Sequence, residues 1–521
     1  MSAPTPPPPR PGFGPPVTPP PFPSAPPPAT TTVGPARRPP GGRLRWIITA
    51  VVAFALLAGG GIWFMTAGGD KGTPGEAEQP QARFDGPGTE ERPAKTEAGE
   101  LFHVADPKVG KNQQFSAPGA WVTDETYVKS GIDSVVGYDL GSGRQVWEIA
   151  LGGQVCDYTR EVDEGRTGIL FQDGMPGGDG RNRPCTEIAV IDLDGGLLLW
   201  RSSVQRSGTK IVFRQVAVGA GKVAVAGDEG GAAFELAGGE LKWEPKPTET
   251  CYDMAYGGGE DLVALQNCGR AENSRARVQV LDAGGRPRSA YDLPRGLEFA
   301  EIVSSDPLVV AGTMQGRVSD FFSIDRRKGT LRSKVAIDPE RFPRVCSVLS
   351  HVHCHGAAVG NDRLYLATRP RTDTGESESA NEIVSYDLAT GKATGQRADS
   401  GGRTELRILR MDGRDLLAYR LPTHSLPGQV IKLDGRSFEE TVYLSVPSDS
   451  EAAAVQRHFV SDKVEMLYAQ GRLFTSELYV TAPRSRYEPP YLAAAFGAGD
   501  AGDAGDAGDA GGGGGAEGAG G

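Results

Sequence analysis

YDLGSGRQVW, Tyr138 to Trp147, reads as an apolar strand ending at an acid, a glycine-bearing turn, and a second strand running back to a tryptophan. The phrase returns as IDLDGGLLLW (Ile191 to Trp200) and FELAGGELKW (Phe234 to Trp243), with an acid and a Trp held at the same spacing. Weaker copies begin at Leu281, Ile324, Tyr386 and Leu433; they keep the acid and usually the turn glycine but replace the tryptophan. A period of roughly 45 to 60 residues marks a stacked or radial repeat. Upstream of the copies lie further apolar runs, Thr167 to Phe171, Lys222 to Ala226, Asp261 to Leu265, Pro307 to Ala311, Arg363 to Ala367 and Asp415 to Tyr419. With one more variable strand each unit is a four-stranded sheet, exposed on both faces unless neighbours flank it. Radial packing supplies those neighbours, so the fold class is all-β, a β-propeller.

The trio of acid, glycine and tryptophan at Asp139/Gly143/Trp147, Asp192/Gly196/Trp200 and Glu235/Gly239/Trp243 resembles the tryptophan-docking repeat of pyrroloquinoline-quinone-like β-propellers. The resemblance spans about 100–495. It implies that Trp147, Trp200 and Trp243 are structural residues that dock on backbone of an adjoining blade. It does not choose a function, because the repeat serves both quinoprotein dehydrogenases and cofactor-free scaffolds.

Seven hairpins are visible. The stretch after them offers strand-like runs at Val455 to Val460, Val464 to Tyr468 and Leu473 to Val480, but no closing hairpin strand. Leu101 to Val104 can complete that last unit and remove an exposed edge by pairing the two ends of the domain. Eight blades are therefore preferred over seven.

Five segments are expected. Residues 1–42 are proline-rich, nearly half proline in the first forty, and form a disordered tail of polyproline II character. Residues 43–67 contain the uncharged apolar run Trp46 to Ala67, enough for one helix across a hydrocarbon core of roughly 30 Å. Residues 68–99 are a flexible Gly, Pro and Glu-rich linker, 100–495 the propeller, and 496–521 a flexible Gly/Ala/Asp tail. Arg37, Arg38, Arg43 and Arg45 precede the span and Asp70 and an acidic stretch follow it, which places the N-terminus in the cytoplasm and the propeller outside. A cleaved signal peptide would need an n-region longer than forty residues.

The formal charge is −11; the five arginines up to Arg45 have no acids among them, so the remainder carries −11 − 5 = −16. That excludes a basic nucleic-acid footprint on the exported part.

Six cysteines fall in the propeller. Their places relative to the hairpins predict Cys156–Cys185, Cys251–Cys268 and Cys346–Cys354, each within one blade and structural. His351, His353 and His355 alternate along one short stretch and are the candidate metal ligands. The competing reading is a polar loop pinned by Cys346–Cys354.

No adjacent cysteine pair of the quinoprotein kind, no catalytic triad and no phosphate loop is present in the sequence. The acids Asp139, Asp192, Asp282, Asp325, Asp387 and Asp434 sit at turns, where a carboxylate caps local backbone. No cofactor and no enzymatic activity are expected. The expected function is a membrane-anchored, extracytoplasmic module that binds an envelope protein or ligand, as scaffold or sensor. Its layout resembles that of envelope proteins of high-GC actinobacteria. The alternatives are a quinone-dependent oxidoreductase and a small-molecule binder that uses the propeller face.

Overall fold

In a computed structural model of the chain, residues 90–499 are described, apart from 112, 178–181, 247–248, 270–273, 343–355, 372–379, 402–403 and 484–490. Eight four-stranded antiparallel sheets follow one another as the blades of a propeller. Blade 1 holds Ala120–Val122, Thr126–Ser130, Ser134–Asp139 and Gln145–Ala150, from the inner strand outward. Blades 2 to 7 repeat that order. Their inner strands are Val155–Tyr158, Gln215–Gly219, Cys251–Gly257, Phe299–Ser305, Ala357–Gly360 and Leu406–Asp412.

Each apolar run read ahead of a hairpin is the second strand of a blade. Lys222–Gly227 is buried at every position, as a strand covered on both faces must be. The hydrophobic core is accordingly divided among the seams. One cluster joins Leu170, Ile188 and Val190 of blade 2 to Val216, Val223 and Phe234 of blade 3. Another joins Val309 and Phe321 of blade 5 to Leu364 and Leu366 of blade 6.

Blade 8 closes the ring. Its strands Val464–Ala469, Arg472–Glu477 and Tyr491–Gly497 come from the end of the domain, and Gly99–Ala105 from its beginning supplies the outer strand. Phe102 pairs with Ala495 and His103 with Ala494, so the N-terminal stretch expected to complete the last unit does so. The run Val455 to Val460, expected as a strand, is instead a helix over Glu451–Gln456 continued by a 3-10 turn over Arg457–Phe459. The reason is local: Ser450 caps the helix, accepting from Ala453 N, and three alanines follow Glu451 in a stretch with little β preference.

The sequence from Glu90 onward is already held. Ala98 N donates to Ser445 O at 2.9 Å and Ser445 N to Thr96 O at 2.7 Å, adding a short parallel pairing to the outer strand of blade 7. The part of the expected linker that is described, Glu90 to Gly99, is thus bonded to the propeller.

The turn acids cap backbone as expected: Asp139 accepts from Ser142 N, Asp387 from Thr390 N and Asp434 from Ser437 N, at 2.8, 2.7 and 2.7 Å. The hydroxyls of Ser142, Thr390 and Ser437 donate to the same carboxylates, and these hydroxyl bonds together with the amide bonds hold the three carboxyls below the ordinary range. The proline-rich tail, the apolar run, its basic flank and the C-terminal tail from residue 500 lie outside the described residues; Phe496 and Gly497, expected to begin that tail, instead end the strand Tyr491–Gly497, where they pair with Glu100 and Gly99. Among the described residues no helix is long and apolar enough to cross a membrane.

Candidate functional site

The inner strands of all eight blades surround a central channel of about 2300 Å³. At one end the connections are tight, as at Asn361–Asp362 and Arg414. At the other end lie the strand ends that flank the connections between second and third strands and between blades, including those on either side of 173–184, 337–356, 368–381, 447–463 and 478–490. Among the described residues, the strand ends that flank every long connection except 159–165 therefore lie at one face, around one mouth of the channel. Loops held by a rigid scaffold in this way are where recognition is built.

Two disulfides fasten that face. Cys156 bonds Cys185 across blade 2, and Cys251 bonds Cys268 across adjoining strands of blade 4. Cys346, Cys354, His351, His353 and His355 lie outside the described residues, and among the described residues no group of three metal-ligating side chains converges.

Trp147, Trp200 and Trp243 stand on outer strands, three strand spacings or roughly 14 Å from the channel, and each meets the turn of the following blade. A Cβ placed on Gly196 would lie 2.3 Å from the Trp147 ring, and one on Gly239 would lie 2.8 Å from the Trp200 ring. Both glycines also hold positive φ, +61° and +71°. A one-residue bulge precedes each tryptophan and turns it toward the seam.

The channel wall carries charge that the repeat pattern did not reveal. At the closing seam Glu465 of blade 8 accepts from Lys129 Nζ at 3.2 Å and Gly119 N at 2.9 Å, and also from Tyr158 OH. Lys129 is wholly buried and donates again to Ala117 O at 2.6 Å. Burial pulls its ammonium pKa down, against the opposing pull of Glu465. Asp157 of blade 2 is buried as well and accepts from Val216 N of blade 3 at 2.8 Å; desolvation pushes its carboxyl well up. Gln215 and Tyr256 exchange two bonds of 2.6 Å across the seam between blades 3 and 4.

Glu301, on the inner strand of blade 5, is half-buried in the channel wall. Its Oε2 is sealed from solvent without a hydrogen-bond partner, and desolvation raises its pKa to about 7. Sequence reasoning missed Asp157, Glu301 and Glu465. The signal for each was a single acid inside an otherwise apolar strand, VCDY, FAEIVSS and VEMLYA.

Residues 50–246 match the family model described as outer membrane protein assembly factor BamB, of the pyrroloquinoline-quinone-like repeat type. The matched segment contains the three strong copies of the docking repeat, and the resemblance read from them holds. No curated protein matches the chain. The fold is similar to BamB from Moraxella catarrhalis at 9% identity, covering 74% of this chain and 96% of that one with a TM-score of 0.40. It is also similar to the Pan2 WD40 domain of Neurospora crassa at 11% identity, covering 79% and 97% with a TM-score of 0.37. A third similar structure is the dihydro-heme d1 dehydrogenase NirN, at 12% identity, 66% and 81% coverage and a TM-score of 0.34.

Proposed function

We propose that this chain is a single-pass membrane protein whose extracytoplasmic propeller binds another protein of the cell envelope, as a non-catalytic scaffold or sensor. One observation carries the reading: the strand ends that flank the long connections gather on one face around the channel mouth, while the strand ends of the opposite face are joined by short turns apart from 159–165. A ring built in this way presents a broad recognition surface on a rigid support. The family whose model matches 50–246 is named for outer membrane protein assembly. The apolar run 46–67 and the arginines before it support the anchor and its orientation.

The test is crosslinking of tagged full-length protein in its own cells, with identification of what is recovered. A second version carries short turns in place of 173–184 and 368–381. A specific partner recovered with the native chain and lost with the shortened loops is the expected result. The same recovery from both would remove the long-loop face from the account. Turnover of an artificial acceptor by the purified protein with quinone and calcium would replace the proposal with an oxidoreductase.

A further inference from the structure

The outer strands of the blades are not alike at their edges. In blade 2 the outer strand Leu197–Ser202 ends its sheet, so its outward side has no strand partner among the described residues. Three consecutive leucines open it, Leu197, Leu198 and Leu199, at 58%, 41% and 37% exposure. The outer strands of blades 4, 5 and 6 instead expose Pro287 and Arg288, Arg332 and Lys334, and Arg397 and Asp399. Proline and charge blunt an edge against further pairing, and leucine does not.

The ring itself shows how such an edge is used. On blade 7 the segment Thr96 to Ala98 lies along the outer strand Glu440–Val446 and bonds to both main-chain groups of Ser445. No described segment of the chain does this for blade 2. The surroundings of that edge are acidic. Asp194 is exposed in the turn that opens the strand, Glu148 follows Trp147, which meets that turn, and Glu240 belongs to the blade 3 turn met by Trp200. The basic side chains beside them are engaged: Arg201 with Glu187 at 2.9 Å, and Lys242 shared by Glu235 and Glu240 at 3.2 and 3.0 Å. A second copy would set one acidic border against another, and an anionic lipid surface would meet the same repulsion, whereas a basic segment is attracted.

We propose that the outer edge of blade 2 is a second docking site, which takes an extended segment of a partner protein as a fifth strand. The apolar side chains of that segment lie on Leu197 to Leu199, and its lysines or arginines reach Asp194, Glu148 and Glu240. Strand addition draws affinity from main-chain hydrogen bonds and selectivity from the side chains beside them. The edge begins directly after the tight turn 193–196, so the leucines stand at the end of the blade away from the long connections. The site rests on the reading of the propeller as a protein-binding module, and uses a surface other than the long-loop face.

The probes are three capped hexapeptides added to the full-length protein in detergent: Lys-Val-Lys-Val-Lys-Val, its Glu-Val counterpart, and the lysine peptide N-methylated throughout, which has no main-chain donor. Hydrogen exchange of the amides at 197–202 is read by mass, with the blade 6 outer strand 393–399 as reference. At about 5 mM the lysine peptide should slow exchange at 197–202 about sixfold, as a dissociation constant near about 1 mM gives, and leave 393–399 unchanged. The other two peptides should have no effect. Leu198→Lys should abolish the slowing, with unchanged circular dichroism because the side chain replaced is exposed. No slowing by the lysine peptide, equal slowing by either control, or slowing that survives Leu198→Lys would overturn the proposal. Protection without peptide that grows with protein concentration would give the edge to a second copy. Protection gained on transfer from detergent to phosphatidylglycerol vesicles would give it to the membrane, and either result also overturns the proposal. Recovery of a loop-dependent partner from cells, together with failure of the peptides, would remove this site and leave the long-loop reading; the converse would remove that reading and leave the site.

Discussion

Trp200 and Leu236 stand on different blades and are joined, the indole Nε1 donating to the Leu236 carbonyl at 2.8 Å. Three blades further round the ring the same bond recurs without a tryptophan: Ser333 Oγ donates to Leu388 O at 2.7 Å. Ser289 Oγ does likewise to Arg326 O at 2.6 Å. Ser333 pairs with Ser323 just after a bulge, the register at which Trp200 pairs with Val190. Two of the four decayed repeats have thus kept the seam bond and lost the ring.

Trp200→Phe keeps most of the packing and loses the bond, and should destabilise by about 1 kcal/mol. Trp200→Ala also opens a gap beside Gly239 and should destabilise by about 2–3 kcal/mol, below the range for a fully buried ring because Trp200 is half-buried. Ser333→Ala should resemble Trp200→Phe. Urea unfolding of the three variants checks the order.

Glu301 gives a pH dependence with a definite sign. Its folded pKa, about 7, lies above its ordinary 4.5, so the folded state binds the extra proton between those values. Stability from this group is therefore full below about pH 4.5 and is lost as pH rises through 7. Glu301→Gln should flatten that slope and melt above wild type at pH 8. The gain should be about 1–2 kcal/mol once screening by channel water is allowed for. Identical melting profiles of the two proteins from pH 5 to 8 would contradict the assignment.

Lys129 and Glu465 close the ring from opposite ends of the domain, and neither has access to bulk water. Removing one partner strands the other, so Lys129→Met or Glu465→Gln should each destabilise by about 3–5 kcal/mol, and the double variant by less than the sum. A double-mutant cycle on thermal unfolding measures the coupling. The hydrogen bonds that Glu465 also accepts from Gly119 N and Tyr158 predict that its loss is the worse of the two.

The fold was legible because its signal is repeated. A turn acid repeated across seven hairpins, with a turn glycine in the same relation in most of them, specifies the architecture even where one copy is weak. Phe102 shows what repetition hides: it docks on Gly143 of blade 1 as Trp147 docks on Gly196, yet it belongs to no visible hairpin because its partner strand lies almost four hundred residues away. The channel acids were not legible for a different reason. Asp157 and Glu301 each occur once, and their environment is made by other blades, which no local pattern in the chain records.

The two disulfides bind the base of the long-loop face. They close 29 and 17 residues of chain, and loops of that size are worth about 3 kcal/mol each. Cys156→Ser with Cys185→Ser should lower the melting temperature and raise hydrogen exchange in blade 2, leaving blades 5 to 7 unchanged. Mass-resolved exchange reads this blade by blade. Uniform loosening of the ring would show that the bridge acts on the whole propeller rather than on its own blade.

Arg410 should control how firmly the N-terminal segment is tied to the ring. It holds Glu90 at 2.7 Å, while Glu90 N donates to both oxygens of Asp412 at 3.0 and 2.9 Å and Gln470 N donates to Glu90 at 2.9 Å. Lys432 reaches Asp412 from the other side at 2.7 Å. Burial raises the Glu90 pKa against the pull of Arg410, so without the guanidinium Glu90 would be driven further toward its neutral form. Arg410→Ala should therefore cost about 2–4 kcal/mol, more than an exposed ion pair and near the range for breaking a buried one. The pairing of Thr96 and Ala98 with Ser445 depends on the chain being held there. Their amides and those of the blade 7 outer strand should exchange faster in the variant, and proteolysis near residue 90 should quicken. If the amides at 96–98 stay protected, the strand pairing holds this segment by itself and the ion cluster only decorates it.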